Sequence, residues 1–233
     1  MTSEIEKKLA GEAAVDLVKD GMVIGLGTGS TVRYFIEGIG KKVAEGLKVI
    51  GIPTSVQTEK IARKAGIEIT TLQEHSKLDL TVDGADEVDS ELNLIKGMGG
   101  ALFREKIVAK AAKRFVVVVD SSKLVRLLGE KTPVPVEVHI FGWKATSDWL
   151  RSKGCLPALR KSGQNPYLTD NGNFIIDCHF GAIPDPAGLE SQLNNVPGAV
   201  ENGIFTGIVD HVIVAKGDSV GRITGLKRDS SVS

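Results

Sequence analysis

Lys96-Gly97-Met98-Gly99-Gly100-Ala101-Leu102-Phe103-Arg104-Glu105-Lys106 is the stretch on which the reading of this chain turns. A short apolar run, residues 92–95, leads into it, and a lysine-studded pattern of helical period runs on to Arg114, so the glycines read as a strand-to-helix turn. Glycines there let backbone amides approach a ligand, and the unpaired N–H groups of a helix start favour an anion. With the helix starting near Ala101, a wheel of about 100° per residue puts Lys106, Lys110 and Lys113 on one polar stripe. Glu105 falls off that stripe. It shares a face with Ala101, Ala109 and Ala112, where small neighbours leave room for a partly buried carboxylate beside something bulky. Most helical glutamates only face solvent, and this geometry alone leaves both readings open.

Working outward, residues 4–19 carry Ile5, Leu9, Ala13, Leu17 and Val18 at helical spacing, and Asp20-Gly21 ends the pattern. Residues 22–26 read as a buried strand that runs into Gly27-Thr28-Gly29-Ser30-Thr31 and then a helix over 32–45. The alternation recurs with a strand at 49–52, a helix at 56–65, and strands at 68–71 and 78–82. After 78–82 comes the acidic turn Asp83-Gly84-Ala85-Asp86-Glu87-Val88-Asp89, and after the Val-rich run 115–119 comes Asp120-Ser121-Ser122-Lys123. Strands alternating with helices predict an α/β fold, a Rossmann-like, mostly parallel sheet with helices on both faces. Four polar or Gly-rich loops then each follow the carboxyl end of a strand, and in an open α/β sheet those ends share the edge where ligands bind.

The pattern changes near Thr132-Pro133-Val134-Pro135. Beyond it a strand (136–141), a helix (144–153), a strand (156–161), a hairpin-type turn at Asp170-Asn171-Gly172, a strand (174–180), a helix (187–195) and a strand (199–205) give the order βαββαβ. That is the order of a small ferredoxin-like α+β domain. Residues 210–215 read as one more buried strand that rejoins the first sheet. The expected division is therefore a large α/β domain, 1–131 with 208–233, and an inserted domain, 132–207. The polar tail from Gly217 reads as frayed and without function.

Composition narrows the partners. Lysine plus arginine and aspartate plus glutamate both number 29, so the chain is neutral, a poor match to nucleic acid or to an anionic membrane through bulk charge. The longest strongly apolar run, 115–119, is far short of the ~20 residues that span a bilayer. The amino end is charged and starts with a capping box, Ser3 to Glu6, where a secretory signal would show an apolar core, so a cytoplasmic location is expected. Cys155 and Cys178 stand alone and read as reduced and structural. Tyr34, Trp143 and Trp149 occupy positions that read as core, and none suggests base stacking. The histidines, 75, 139, 179 and 211, show no ligand spacing.

Gly25-Leu26-Gly27-Thr28-Gly29-Ser30 resembles a dinucleotide fingerprint, but the third glycine is replaced by Ser30. The second strand also ends in Ile52-Pro53-Thr54-Ser55 rather than in an acidic residue for a ribose. No lysine follows these glycines, so the Walker pattern fails too. What remains is a nest of amides with the hydroxyls of Thr28, Ser30 and Thr31, sized for one phosphate, or simply a capped helix. Asp83, Asp86 and Asp89 invite a divalent metal, but an EF-hand counted from Asp79 would need glutamate where Ser90 stands. Lys96 and Lys123 could balance the carboxylates without an ion, and an Asx-stabilised turn is the plain alternative.

In four motifs and their order the sequence resembles the type A ribose-5-phosphate isomerases: Thr28-Gly29-Ser30-Thr31, Asp83-Gly84-Ala85-Asp86, Lys96-Gly97-x-Gly99 with Glu105 nine places after the lysine, and Ser121-Ser122-Lys123. The resemblance continues through Pro135-Val136-Glu137-Val138 and Asp170-Asn171-Gly172-Asn173 to Asp177-Cys178-His179-Phe180, and so covers nearly the whole chain. Met98 stands where many members carry glycine, and a positive φ there would be costly. The resemblance implies interconversion of D-ribose 5-phosphate and D-ribulose 5-phosphate in the pentose phosphate pathway without metal or organic cofactor. It implies Glu105 as base and Lys96, with the Gly97 and Gly99 amides, as oxyanion support. It assigns Asp83 and Asp86 to hydroxyl binding and ring opening, and Thr28, Ser30, Thr31 and Lys123 to phosphate. Gly29, Gly84, Ala85 and Met98 complete the expected substrate contacts, and the family implies a homodimer or homotetramer with the inserted domain as interface. Two other classes share parts of this pattern. A related acyl-CoA transferase would need a nucleotide signature that is not seen, and a sugar-phosphate sensor would need an effector module, for which the stretch ahead of the first strand is too short.

Overall fold

In the computed structural model, which describes residues 2–225, the first half of the chain alternates helix and strand as the apolar pattern predicts. It runs α1 (Thr2–Ala13), a 3₁₀ turn at Val15–Leu17, β1 (Val23–Leu26), α2 (Ser30–Ala44), β2 (Ile50–Pro53), α3 (Val56–Lys64), β3 (Glu68–Ile69) and β4 (Leu80–Asp83). Two short strands, β5 (Glu87–Val88) and β6 (Leu94–Ile95), precede α4 (Leu102–Ala111) and β7 (Phe115–Asp120). Then follow β8 (Val134–Val138), α5 (Trp143–Ser152), β9 (Leu156–Leu159), a small hairpin of β10 (Lys161–Ser162) and β11 (Asn165–Pro166), β12 (Phe174–His179), α6 (Pro186–Asn194), β13 (Ala199–Asn202) and β14 (Ile204–Phe205). The described chain closes with β15 (His211–Lys216) and β16 (Ser219–Thr224).

The central sheet has seven strands in the order β16-β15-β7-β4-β1-β2-β3, and only the β15–β16 pair is antiparallel. β7 shows why it needs a layer on each side. All six of its residues are buried, and successive side chains of a strand point to opposite faces. Val116 and Val118 meet Val32, Phe35 and Ile36 of α2, whereas Phe115, Val117 and Val119 meet Leu94, Ala109 and Phe205 on the other side. Each such valine, fully buried, contributes about 1.5–3 kcal/mol. One face is thus covered by helices and the other by α4 with a three-stranded antiparallel sheet, β14-β6-β5.

Between β7 and β15 a second sheet, β13-β8-β12-β9, is antiparallel throughout, the strand order of the ferredoxin-like βαββαβ arrangement. Its core gathers Val136, Leu150, Ile176 and Leu193, with Cys155 and Cys178 buried and free as expected.

The structure departs from the sequence expectations in five places. The run 92–95 does not feed the parallel sheet: Leu94 and Ile95 pair with Phe205 and Ile204, so the predicted strand 199–205 is split and its end leaves β13 for β6. The helix predicted to reach Arg114 stops at Ala111, because Leu78 donates to the Ala111 carbonyl and Lys113 donates to that of Leu78, drawing these residues into an extended bridge. Lys106, assigned to a solvent stripe, is 2 % exposed, while Trp149, read as core, is 46 % exposed. The tail is not simply frayed either: β16 adds an antiparallel edge strand, although the rest of the predicted tail, 226–233, lies outside the described residues.

Candidate active site

Three of the four singled-out loops leave the carboxyl ends of adjacent parallel strands, β1, β4 and β7, and the fourth arrives from β6 at the same edge. They enclose a cavity of about 110 Å³. Thr28, Gly29, Ser30 and Thr31 form one wall, Gly84, Ala85 and Asp86 a second, Lys96, Gly97, Gly99 and Glu105 a third, and Lys123 closes the fourth. A larger cleft of about 440 Å³ lies between Arg63, Thr71, Arg104 and Ile107, but no buried acid, lysine and loop amides converge there.

Each wall is held by a local rule. Gly29 precedes α2 at φ +140°, a conformation that strains any side chain, and leaves the first turn of α2, with Ser30 and Thr31, facing the cavity. A Cβ on Gly27 would lie 2.2 Å from the Asp83 carboxylate, so glycine lets that acid sit against β1. Asp83 Oδ1 accepts from the Gly84 amide at 2.7 Å and the Thr28 amide at 3.1 Å. Lys123 ends a 3₁₀ turn whose Ser121 amide and hydroxyl donate to Glu6 of α1 at 3.1 and 2.9 Å.

Two buried acids and a buried lysine form the centre. Lys96 Nζ donates to the Gly84 carbonyl at 2.6 Å and stands 3.1 Å from Asp83 Oδ2 and 3.2 Å from Glu105 Oε1. All three side chains are 5 % exposed or less. Burial pulls the Lys96 ammonium down, but Asp83, Glu105 and Asp86 outweigh it and hold the lysine charged. Burial, helped by the charges of Asp83 and Asp86, pushes Glu105 up to about 8 against the pull of Lys96. Asp83 is also raised by burial, opposed by Lys96 and by the Gly84 and Thr28 amides. Of the two acids, Asp83 has those amides to stabilise its anion. Glu105 has only Lys96, and its Oε2 is buried without a partner. The shared proton therefore belongs on Glu105, which is set to gain and lose it near neutrality.

The remaining expected contacts are refined by the geometry. Asp83 is fully buried and does not line the cavity, whereas Asp86 does and accepts the Met98 amide at 3.0 Å. Met98 carries no strain, since the positive φ angles of its loop fall on Gly97 (104°) and Gly100 (81°). The Thr28 hydroxyl is engaged behind the wall by Thr54 and Ser55 at 2.8 Å and by Thr58 at 3.0 Å. Thr54 and Thr58 spend their own protons on the Leu26 and Gly27 carbonyls, so Thr28 uses its single proton within this cluster. Sequence reasoning missed the supports from the inserted segment. Arg160 pairs with Asp177 and donates to the Gly97 carbonyl at 2.8 Å, Tyr167 abuts Gly100, and Lys106 is held by Glu190 at 3.0 Å and Glu201 at 2.7 Å. For Arg160 and Asp177 the sequence signal was opposite charge on neighbouring predicted strands, which needs a register to interpret; Tyr167 and Lys106 carried none. Among the described residues no three His, Cys, Asp or Glu side chains are grouped to hold a metal ion, and no helix is long and apolar enough to cross a membrane.

A buried carboxylate with a free oxygen, a charged lysine beside it and loop amides opposite can remove a proton next to a carbonyl and hold the resulting oxyanion. Comparison with known proteins gives the same direction. Residues 50–219 match the family Ribose 5-phosphate isomerase A (phosphoriboisomerase A). A Ribose-5-phosphate isomerase A from Gluconobacter oxydans is 51% identical over 220 residues, 93% of this chain and 95% of the relative. One from Methanothermobacter thermautotrophicus is 51% identical over 217 residues, 92% of this chain and 95% of the relative. A D-ribose-5-phosphate isomerase solved in complex with phospho-erythronic acid superposes with a TM-score of 0.93 at 45% identity, over 96% of this chain and all (100%) of that one. The ribose 5-phosphate isomerase A of Methanocaldococcus jannaschii gives 0.89 at 46% identity, over 94% of this chain and 97% of that one.

Proposed function

Since the chain belongs to the ribose-5-phosphate isomerase A family and interconverts D-ribose 5-phosphate and D-ribulose 5-phosphate, we propose that Glu105 carries out both proton transfers of that reaction. The observation that carries this reading is the unpartnered Oε2 of Glu105, buried 9 residues along the chain from the lysine that its Oε1 faces at 3.2 Å. Glu105 removes the C2 proton of the open-chain aldose and returns it to C1 of the enediolate, so one carboxyl on one face serves both carbons. While Glu105 is ionised, Lys96 divides its charge between two carboxylates. Once Glu105 takes the proton, that charge turns toward the oxyanion, which grows at the same moment.

Asp86, at the cavity wall, binds sugar hydroxyls and takes part in ring opening. Asp83, behind it, holds Lys96 and the Thr28 and Gly84 amides, a role that its complete burial supports. Ser30, Thr31, the first turn of α2 and Lys123 bind the phosphate. Gly29, Gly84, Ala85, Gly97 and Gly99 contribute backbone to the same site, whereas Met98, expected there too, lies outside the cavity lining and spends its amide on Asp86. We assign residues 1–131 with 208–233 to the catalytic domain and 132–207 to the inserted one. We place the enzyme in the cytoplasm as a homodimer or homotetramer, with the inserted domain as interface. The exposed Phe141 (86 %) and Leu156 (74 %) of that domain favour this, and light scattering on Phe141→Glu tests it by loss of the oligomer.

The decisive experiment incubates chelator-treated protein with ribose 5-phosphate in D₂O. Ketose carrying solvent deuterium at C1 is expected, with no need for added metal. Deuterium-free ketose, or turnover that requires a divalent cation, would overturn the assignment in favour of a hydride shift.

A further inference from the structure

The turn that faces the substrate is held from outside by the inserted segment, and the way it is held decides which backbone amides point inward. Arg160, just past β9, is fixed as a fork on Asp177 of β12: its Nε donates to Oδ2 at 2.9 Å and its Nη2 to Oδ1. The free arm of the fork, Nη1, donates to the carbonyl of Gly97 at 2.8 Å and to that of Met98 at 3.1 Å. The Tyr167 hydroxyl lies 3.4 Å from the Gly99 carbonyl, and a Cβ on Gly100 would come within 2.3 Å of that hydroxyl. Three successive carbonyls are thus drawn toward the inserted segment.

In a planar trans peptide the N–H points opposite to the preceding C=O. Turning the carbonyls of 97, 98 and 99 outward therefore turns the N–H groups of 98, 99 and 100 the other way. The Met98 amide is used by Asp86 at 3.0 Å and the Gly100 amide by the Gly97 carbonyl at 2.9 Å. The Gly99 amide has no partner among the described residues, and Gly99 lines the cavity. Its direction follows from the Met98 carbonyl, which Arg160 holds.

We propose that Arg160, anchored by Asp177, is a positioning residue for catalysis: it fixes the Gly97–Gly99 peptides so that the Gly99 amide meets the oxyanion of the enediolate. The inserted segment is then part of the catalytic apparatus and not only a packing surface. A guanidinium suits this task because one planar group engages a carboxylate and two carbonyls together, whereas an ammonium offers a single point of donation. The inference rests on the isomerase reading of Glu105 and this loop. Deuterium incorporation by the wild type tests that reading, while the ratio of variant to wild type tests the clamp.

Arg160→Lys and Asp177→Asn are assayed for kcat, KM, and binding of phospho-erythronic acid and of inorganic phosphate. The carboxylate of phospho-erythronic acid presents the charge of an enediolate, whereas phosphate probes only the cradle. Removing an oxyanion donor outright costs about 10²- to 10³-fold in kcat, so misplacing one should lower kcat by roughly 10- to 100-fold. KM and phosphate affinity should stay within about threefold, and phospho-erythronic acid should weaken by the factor lost in kcat/KM. Folded variants with kcat within twofold of wild type would overturn the proposal. So would variants whose phosphate affinity falls as far as their kcat. Failure of both variants to fold would make the pair a structural staple and equally refute a positioning role.

Discussion

Glu105→Gln separates catalysis from stability in a way that depends on pH. The glutamine keeps the shape of the side chain and removes its charge. Turnover should fall by at least the ~10²- to 10⁴-fold that general-base catalysis is worth, while inorganic phosphate still binds. The stability effect has a sign fixed by the raised pKa. Glu105 titrates at about 8 in the folded chain against 4.5 as its reference value, so the folded state holds the proton more tightly. Below the reference value the group is neutral in both states and costs nothing. As pH rises from 4.5 to 8 the unfolded chain ionises while the folded one keeps its proton, so stability is progressively lost, and above 8 the penalty is constant. At about 1.4 kcal/mol per unit the ceiling is about 5 kcal/mol, and sharing the proton with Asp83 brings the expected figure to roughly 2–3 kcal/mol. The glutamine variant should therefore melt increasingly above the wild type between pH 5 and pH 9, by roughly 5–10 °C at the upper end. In parallel, wild-type kcat/KM should rise toward an apparent pKa near the same value. A melting difference that is flat with pH, or a variant retaining a tenth of wild-type turnover, would refute the account of Glu105.

Lys106→Met removes the cation that pairs with both Glu190 and Glu201, whose carboxylates are 13% and 19% exposed, so a loss of about 2–4 kcal/mol should appear as a lower melting temperature. Adding Glu190→Gln and Glu201→Gln should restore most of it. Lys123→Met should raise KM for ribose 5-phosphate about tenfold or more in steady-state assays and change kcat less, because a charge-assisted hydrogen bond is worth about 1.5–3 kcal/mol. Thr28→Val should lower the melting temperature while leaving KM within about twofold, because the hydroxyl faces Thr54, Ser55 and Thr58 and not the cavity. A tenfold rise in KM would return Thr28 to the phosphate cradle.

What could be read in the sequence follows the distance over which each cause acts. The strand, Gly-rich turn and helix of 22–45 and the buried run of β7 are local patterns, set by periodicity and by glycine. They placed three of the four singled-out loops on one sheet edge. The order βαββαβ was legible for the same reason, since each element announces itself over a few residues. Leu94 and Ile95 were misplaced because a two-residue strand carries no period, and its partner, β14, arrives after more than a hundred residues. Lys106 looked like its neighbours Lys110 and Lys113 for a related reason. Its carboxylates lie 84 and 95 positions away, and only the packing of α4 against α6 and β13 reveals that one lysine of the three is buried.

The same logic explains why the acid and the lysine were found while their supports were not. Lys96 and Glu105 stand nine residues apart in one turn-and-helix unit, so the buried acid and its lysine are specified by a single contiguous segment. The direction of the amides between them is not specified there. Gly97 and Gly100 permit the turn, but a glycine-rich turn allows many conformations, and flexibility that lets a backbone approach a ligand also lets it point elsewhere. Some rigid element must select one conformation, and Arg160, 63 residues from Gly97, supplies the selection from just past the end of β9, with β12 behind it. A site built on glycine for access therefore needs an external clamp for direction, which makes the inserted segment a requirement of the chemistry as well as of packing.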